Sequence, residues 1–164
     1  MAGYEFMGKE PFSDVCIHGT VRDANGVKMS KSLGNGIDPL EVINEFGADA
    51  LRFMLATGIT PGNDMRFQEE RLQMARNFAN KLWNIARFIL MNLENKEVPK
   101  FSVKLENLSS DDKEIIAKLE NLINKVTKSL DKYYFSAAAE SLYDFIWHDL
   151  ADKYIEQSKE KIYN

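Results

Sequence analysis

Residues 68–93 read Gln-Glu-Glu-Arg-Leu-Gln-Met-Ala-Arg-Asn-Phe-Ala-Asn-Lys-Leu-Trp-Asn-Ile-Ala-Arg-Phe-Ile-Leu-Met-Asn-Leu, and the apolar spacing in this run decides the fold. Leu72, Ala75, Ala79, Leu82, Ala86, Ile89 and Leu93 recur at helical steps, which predicts one amphipathic helix over the whole stretch. At about 100° per residue the apolar face centres on Ala75 and Leu93, while Asn77, Lys81, Asn84 and Phe88 share a stripe on the far side. Phe88 is the odd member, a large ring beside a lysine and an amide. Packing on a neighbouring helix is one reading. The other is a nucleic-acid contact, because a ring can stack on an unpaired base while amides read base edges and lysine meets phosphate. Arg76 and Arg87 lie roughly 100° away, as backbone contacts or as solvated arginines.

Downstream, residues 94–108 contain a proline and little periodicity, so a connection is expected. Ser109 or Ser110 caps the next helix, along which Ile115, Ile116, Leu119, Leu122, Ile123, Val126 and Leu130 recur at three and four. Tyr133, Tyr134 and Phe135 form a corner. A last helix runs from about Ser136 to near the end, with Ala138, Leu142, Phe145, Ile146 and Leu150 as its apolar residues. Three long amphipathic helices with short links predict an antiparallel bundle. Trp147 and Tyr154 read as core. Asp149, Asp152 and Glu156 read as a solvated acidic face and His148 as a surface or capping residue, rather than as catalysts.

Upstream, residues 14–22 alternate, Val15, Ile17 and Val21 against Cys16, His18 and Thr20, which predicts a strand. Asn25-Gly26 is a tight-turn signal, and residues 27–29 return as a short second strand, giving a β-hairpin. Asp38-Pro39-Leu40-Glu41 starts a helix, with Asp38 as cap, proline at the first turn and Glu41 reaching back as in a capping box. That helix stops at Gly47, and a second short one, 48–57, ends at Gly58. The overall expectation is a mainly α chain: a hairpin, short helices and then the bundle.

Composition bounds the answer. At 164 residues the chain is one ordinary domain, or one with an appendage, and its 45% hydrophobic and 28% charged content describe a globular protein. No apolar run approaches the roughly 20 residues that span a bilayer, and no signal-peptide pattern opens the chain. Cys16, the one cysteine, has no internal disulfide partner, which fits a reducing, cytoplasmic setting. The cysteine and two histidines are far apart, so no metal site is expected. A net charge of -4 does not exclude nucleic acid, since phosphate binding needs only a local basic stripe.

The residues with the most chemistry are Lys28-Met29-Ser30-Lys31-Ser32, between the hairpin and the capped helix. Ammonium groups and hydroxyl donors in a short loop suit phosphate oxygens as negative charge develops. The run continues as Leu33-Gly34-Asn35-Gly36-Ile37-Asp38-Pro39, and the longer string resembles the second signature of class I aminoacyl-tRNA synthetases, a loop that closes over ATP during amino-acid activation. Ala48-Asp49-Ala50-Leu51-Arg52-Phe53 and the Ala75 to Asn84 segment resemble the group specific for valine, isoleucine and leucine. Phe145-Ile146-Trp147 and Tyr154-Ile155-Glu156 resemble its anticodon-binding bundle. Gly36 and Pro61-Gly62-Asn63-Asp64 are closest to the valine-specific members; isoleucine-specific ones, the alternative, more typically carry valine at the position of Gly36.

The resemblance implies residue roles. Lys31 stabilises the leaving pyrophosphate with Lys28 assisting, Met29, Ser30 and Ser32 complete the ATP loop, and Gly34 and Gly36 let it move. Asn77, Lys81, Asn84, Phe88, Arg76 and Arg87 become the tRNA-contacting set. ATP with Mg2+, valine and tRNA(Val) are the implied partners, with no metal held by this chain's own carboxylates and no cofactor bound tightly by it. Residues 1–36 are expected to be the tail of a catalytic nucleotide-binding domain, 37–66 a stem-contact region, and 67–164 an anticodon-binding helical bundle, cut short. The family's other ATP signature, His-x-Gly-His, is absent around both His18 and His148. A piece of a larger ligase, inactive by itself, is therefore expected. A helical protein-interaction scaffold with an incidental lysine loop is the competing class; tRNA binding that weakens steeply with salt separates the two.

Overall fold

A computed structural model describes residues 2–58, 60–93 and 108–163. Its elements in chain order are α1 (Ala2–Met7), β1 (Val21–Arg22), α2 (Pro39–Phe46), α3 (Ala48–Gly58), β2 (Met65–Arg66), α4 (Glu69–Leu93) and α5 (Ser110–Asp131). The last helix has three parts: α6 (Phe135–Asp144), a π-wound segment (Phe145–Ile155) and α7 (Glu156–Tyr163). The mainly α expectation holds, and the connection expected over 94–108 lies almost wholly outside the described residues.

Local chemistry accounts for most boundaries. The Asp38 side chain accepts from the Leu40 amide and Pro39 opens α2, while Gly47, at φ +91°, ends it. Ser109 caps α5, accepting from the Asp112 amide while the Asp112 carboxylate accepts from the Ser109 amide. Tyr133 turns the corner into α6 in the left-handed region, at φ +59°.

The β-hairpin is a correction. Its turn forms, with Gly26 N–H donating to Asp23 C=O and Asp23 N–H to Val27 C=O, but only one antiparallel bridge, Arg22 to Lys28, follows it. The two-residue strand β1 instead pairs parallel with β2, Val21 against Met65 and Arg22 against Arg66. Residues 14–20 form no strand, and Val15 and Ile17 are each 77% exposed. Alternation predicts a strand only where another backbone edge can satisfy its amides and carbonyls.

The main core lies where α2, α3, β2 and α4 meet: Ala50, Leu51, Met54, Met65, Leu72 and Ala75, flanked by Val21, Val42, Ile43, Phe46, Phe53, Leu55 and Phe67. An aromatic chain continues it, Phe53 to Phe78 at 4.7 Å between centroids, Phe78 to Tyr143 at 4.9 Å and Tyr143 stacked on Trp147 at 5.5 Å. The last helix is sandwiched between α4 and α5 and buries small residues, Ser136, Ala138, Ala139, Ser141 and Ala151, which let its backbone approach closely. Ser136 Oγ donates to the Thr57 carbonyl at 2.7 Å and so ties it to the end of α3. The π winding was not expected from the sequence. It breaks the 3.6-residue phase, and within it Ala151 is buried while Leu150 is only half-buried.

The face of α4 is the second correction. Leu72 and Ala75 are buried as expected, but the other buried positions are Phe78 and Ile85, while Leu82, Ala86, Ile89 and Leu93 are exposed. The helix meets α3 with one side in its first turns and the last helix with another side further on. Periodicity sums both halves into one face, which the first turns use and the later turns do not.

Candidate functional site

The lysine loop hangs from the β1 turn. Gly26, at φ +82°, closes that turn, and Asp23 organises it: Oδ1 accepts from the amides of Asn25 at 3.0 Å and Val27 at 2.7 Å. Asp23 Oδ2 accepts from Asn35 Nδ2 at 2.8 Å. Asn35 Oδ1 in turn accepts from the Ser30 amide at 2.9 Å, so the loop is held across its base by one side chain. Ser30 Oγ lies 3.2 Å from Ser32 Oγ and accepts from the Leu33 amide at 3.3 Å. Gly34, at φ +65°, completes a turn in which its N–H donates to Lys31 C=O. The Asn35 hydrogen bond, followed by the Val27 amide, holds the Asp23 carboxyl below its ordinary range.

Met29, Ser30, Lys31, Gly34, Gly36 and Ile37 line an open basin of about 480 Å³. Lys31 and Ser32 are exposed, Met29 and Ser30 half-buried, and Lys28 exposed at the bridge to Arg22. The basin offers the Lys31 ammonium and the Ser30 hydroxyl, which suit phosphate oxygens. Among the described residues no group of three or more His, Cys, Asp or Glu stands where it could hold a metal ion. Sequence reading gave roles to the five loop residues but none to Asp23 or Asn35. Their contact spans 12 positions, and no periodicity signals it.

The loop is anchored from below. Asp64 accepts from the Thr20 amide at 2.8 Å and from Arg22 Nε at 2.5 Å, and these bonds hold its carboxyl below the ordinary range. A Cβ at Gly19 would collide with the Asn63 carbonyl, so glycine is required for the backbones to meet here. The Pro61 to Asp64 loop thus contributes a clamp on the lysine hairpin.

On α4 the candidate stripe divides. Asn77 and Asn84 are exposed, as are Arg76 and Arg87, and Asn77 Oδ1 accepts from Gln73 Nε2 at 3.0 Å. Lys81 and Phe88 are half-buried on the side facing the last helix. Lys81 Nζ donates to Asp152 Oδ1 at 2.9 Å and lies 5.1 Å from the Trp147 ring centroid. Phe88 lines a cavity of about 260 Å³ with Tyr154, Ile155, Ser158 and Ile162, and Lys159 Nζ lies 5.7 Å from its ring. The four residues therefore do not form one open face.

The acidic residues of the last helix are ion-paired rather than simply solvated. Asp149 pairs with Lys118, Asp152 with Lys81 and Glu156 with Lys159. Glu114 joins Lys118 and Lys153, whose hydrogen bonds hold its carboxyl low. Asp112 takes bonds from Ser109 and Tyr154 with the same result. Burial, then the bond to Asp112, pushes the Tyr154 phenol up.

Comparison with known proteins bears directly on these two regions. Residues 1–68 match the family model for class I tRNA synthetases (I, L, M and V), and residues 112–164 match the anticodon-binding domain of tRNA ligases. The valine--tRNA ligase of Carboxydothermus hydrogenoformans is 56% identical over 161 residues, 98% of this chain, and that of Bacillus cereus 52% identical over the same share. The chain belongs to the class I aminoacyl-tRNA synthetases. It spans 18% of the length of these curated relatives. Among solved structures, the LeuRS chain of an Agrobacterium radiobacter ternary complex with tRNA and LeuAMS superposes with a TM-score of 0.80 at 26% identity, covering 98% of this chain and 20% of that one. The synthetase match covers the loop and its clamp, and the anticodon-domain match covers most of α5 and the last helix; α4 lies between them.

Proposed function

We propose that this chain is the part of a valine--tRNA ligase that brings a phosphate-stabilising loop to ATP and a helical surface to tRNA(Val). The observation that carries the proposal is the similarity to valine--tRNA ligases over 98% of the chain, which includes every residue of the lysine basin. In the whole enzyme a valine carboxylate oxygen attacks the ATP α-phosphorus. The bond to the bridging oxygen breaks, and pyrophosphate leaves with the electron pair. Lys31 meets the charge that grows on that leaving group, Lys28 assists from the hairpin end, and the Ser30 and Ser32 hydroxyls and nearby amides donate to phosphate oxygens. Mg2+ would screen the charge of the ATP phosphates, to which the loop of this chain would add its cations and hydroxyl donors. The activated valine then passes to tRNA in the cytoplasm.

For the tRNA side, Asn77, Asn84, Arg76 and Arg87 offer open amide and guanidinium groups, and Lys81 and Phe88 border them from the half-buried side of α4. Residues 1–36, 37–66 and 67–164 serve respectively as the end of the catalytic domain, the stem-contact region and the anticodon-binding bundle.

Lys31→Ala in the whole ligase tests the central role. A contact formed mainly in the transition state should cost kcat and leave valine binding nearly unchanged. Losing one such charged donor costs about 2.7–4 kcal/mol, or roughly 10²–10³ in the rate of valine-dependent pyrophosphate exchange. An unchanged rate would overturn the assignment.

A further inference from the structure

We infer that Asn35 is a positioning residue, a clasp that holds the Lys28–Ser32 loop in register with the β1 turn. The inference rests on the proposal that this loop faces ATP. Asn35 is half-buried and its amide uses both ends. Oδ1 accepts from the Ser30 amide at 2.9 Å; Nδ2 donates to Asp23 Oδ2 at 2.8 Å and lies 3.4 Å from the Lys28 carbonyl oxygen. Its partners therefore flank Met29 on both sides and include the turn that launches the hairpin. Asp23 is a rigid partner, because its other oxygen is committed to the amides of Asn25 and Val27. The turn itself is fixed to the rest of the fold by Arg22, which donates to Asp64 through Nε and to Gly26 C=O through Nη1 at 3.4 Å. One side chain thus carries the rigidity of the clamp below into a loop whose own bonds are otherwise short-range.

This geometry needs a carboxamide specifically. A donor must face Asp23 and an acceptor must face Ser30, and only an amide of this reach presents both. Asn35→Asp keeps the acceptor for Ser30 but sets two carboxylates at hydrogen-bond distance, so the clasp should spring. Exchanging the pair, Asp23→Asn together with Asn35→Asp, restores a donor–acceptor match with one charge. A merely space-filling Asn35 would not be rescued in this way.

Two readouts test the clasp. In the 164-residue chain, hydrogen exchange at the Ser30 amide should quicken about 10-fold in Asn35→Asp, as for a lost hydrogen bond, and slow again in the exchanged pair. In the whole ligase, Asn35→Asp should lower kcat for valine-dependent pyrophosphate exchange by about 10-fold or more through misplacement of Lys31, with the KM for valine within about twofold, and the exchanged pair should recover most of that loss. Unaltered Ser30 exchange, or a double variant no better than Asn35→Asp, would overturn the clasp. A normal kcat alongside a freed Ser30 amide would overturn its positioning role. Lys31→Ala run in parallel keeps the two ideas apart: if it abolishes activity while Asn35→Asp does not, the ATP-facing loop stands and the positioning role of Asn35 falls. If Lys31→Ala is fully active, the reading of the loop falls, and Ser30 exchange still decides whether the clasp exists.

Discussion

Phe88 shows how one side chain's surroundings decide between two chemistries. Its ring is half-buried against α7, under the Lys159 ammonium and beside Tyr154 and Ile155. Truncating a partly buried ring removes less than the 3–5 kcal/mol of a full core phenylalanine, so Phe88→Ala should cost about 1–3 kcal/mol of stability. Melting and tRNA affinity measured on the same variant separate packing from stacking. Affinity that falls 5-fold or more at a temperature where the variant is fully folded would mean that the ring also meets a base, a contact worth about 1–3 kcal/mol. Gly19 is the opposite case, a residue defined by the room it leaves. A Cβ there meets the Asn63 carbonyl, a backbone atom that cannot rotate away. Gly19→Ala should therefore part the segments joined by Asp64 and by the Met65 amide on Thr20 C=O, at a cost of about 1–3 kcal/mol. A urea midpoint equal to that of the parent chain would contradict this.

Between elements, α5 and the last helix share a set of ion pairs. No residue of α5 is fully buried, whereas Lys118 bonds Asp149 and Glu114, Lys153 bonds Glu114, and Lys161 donates to Ser109 Oγ beside Asp112. Hydrogen bonds that the Lys118 ammonium donates to Asp149 and then to Glu114 raise it above its usual range, while Glu114 and Asp112 sit below theirs. For carboxyls depressed in the folded state, the stabilisation is present above their unfolded values, about 3.9–4.3, and is lost as pH falls through the folded ones. Asp23 and Asp64 add to the same window from the loop side. The melting temperature should thus change little between about pH 7 and 5 and decline below about pH 4. These pairs are exposed, so added salt at neutral pH should weaken them and lower the melting temperature modestly. Helical circular dichroism followed through thermal melts at each pH checks both; a melting temperature level down to pH 3 would contradict the coupling.

At the scale of the molecule, the chain by itself should not catalyse valine-dependent pyrophosphate exchange, because it carries no His-x-Gly-His sequence to hold the rest of ATP; measurable exchange by the purified chain would refute that. The sequence by itself determined the helices and their caps, since Asp38-Pro39, Ser109 and Gly47 act within a turn of where they stand. It also determined the family, because the lysine string and the long helical segments are contiguous and can be read without a fold. Only the tertiary structure decided which faces are buried. Whether Val15 and Ile17 become a strand depends on a partner edge, whether Leu82 or Ile85 is buried depends on where the last helix lies along α4, and the π winding has no 3.6-residue signature. The same holds for the clasp and clamp of the loop. Asp23 with Asn35, and Arg22 with Asp64, are polar pairs separated by 12 and 42 positions. Local preferences act over a few residues, while a hydrogen bond across such a separation exists only once the chain between its ends has been folded.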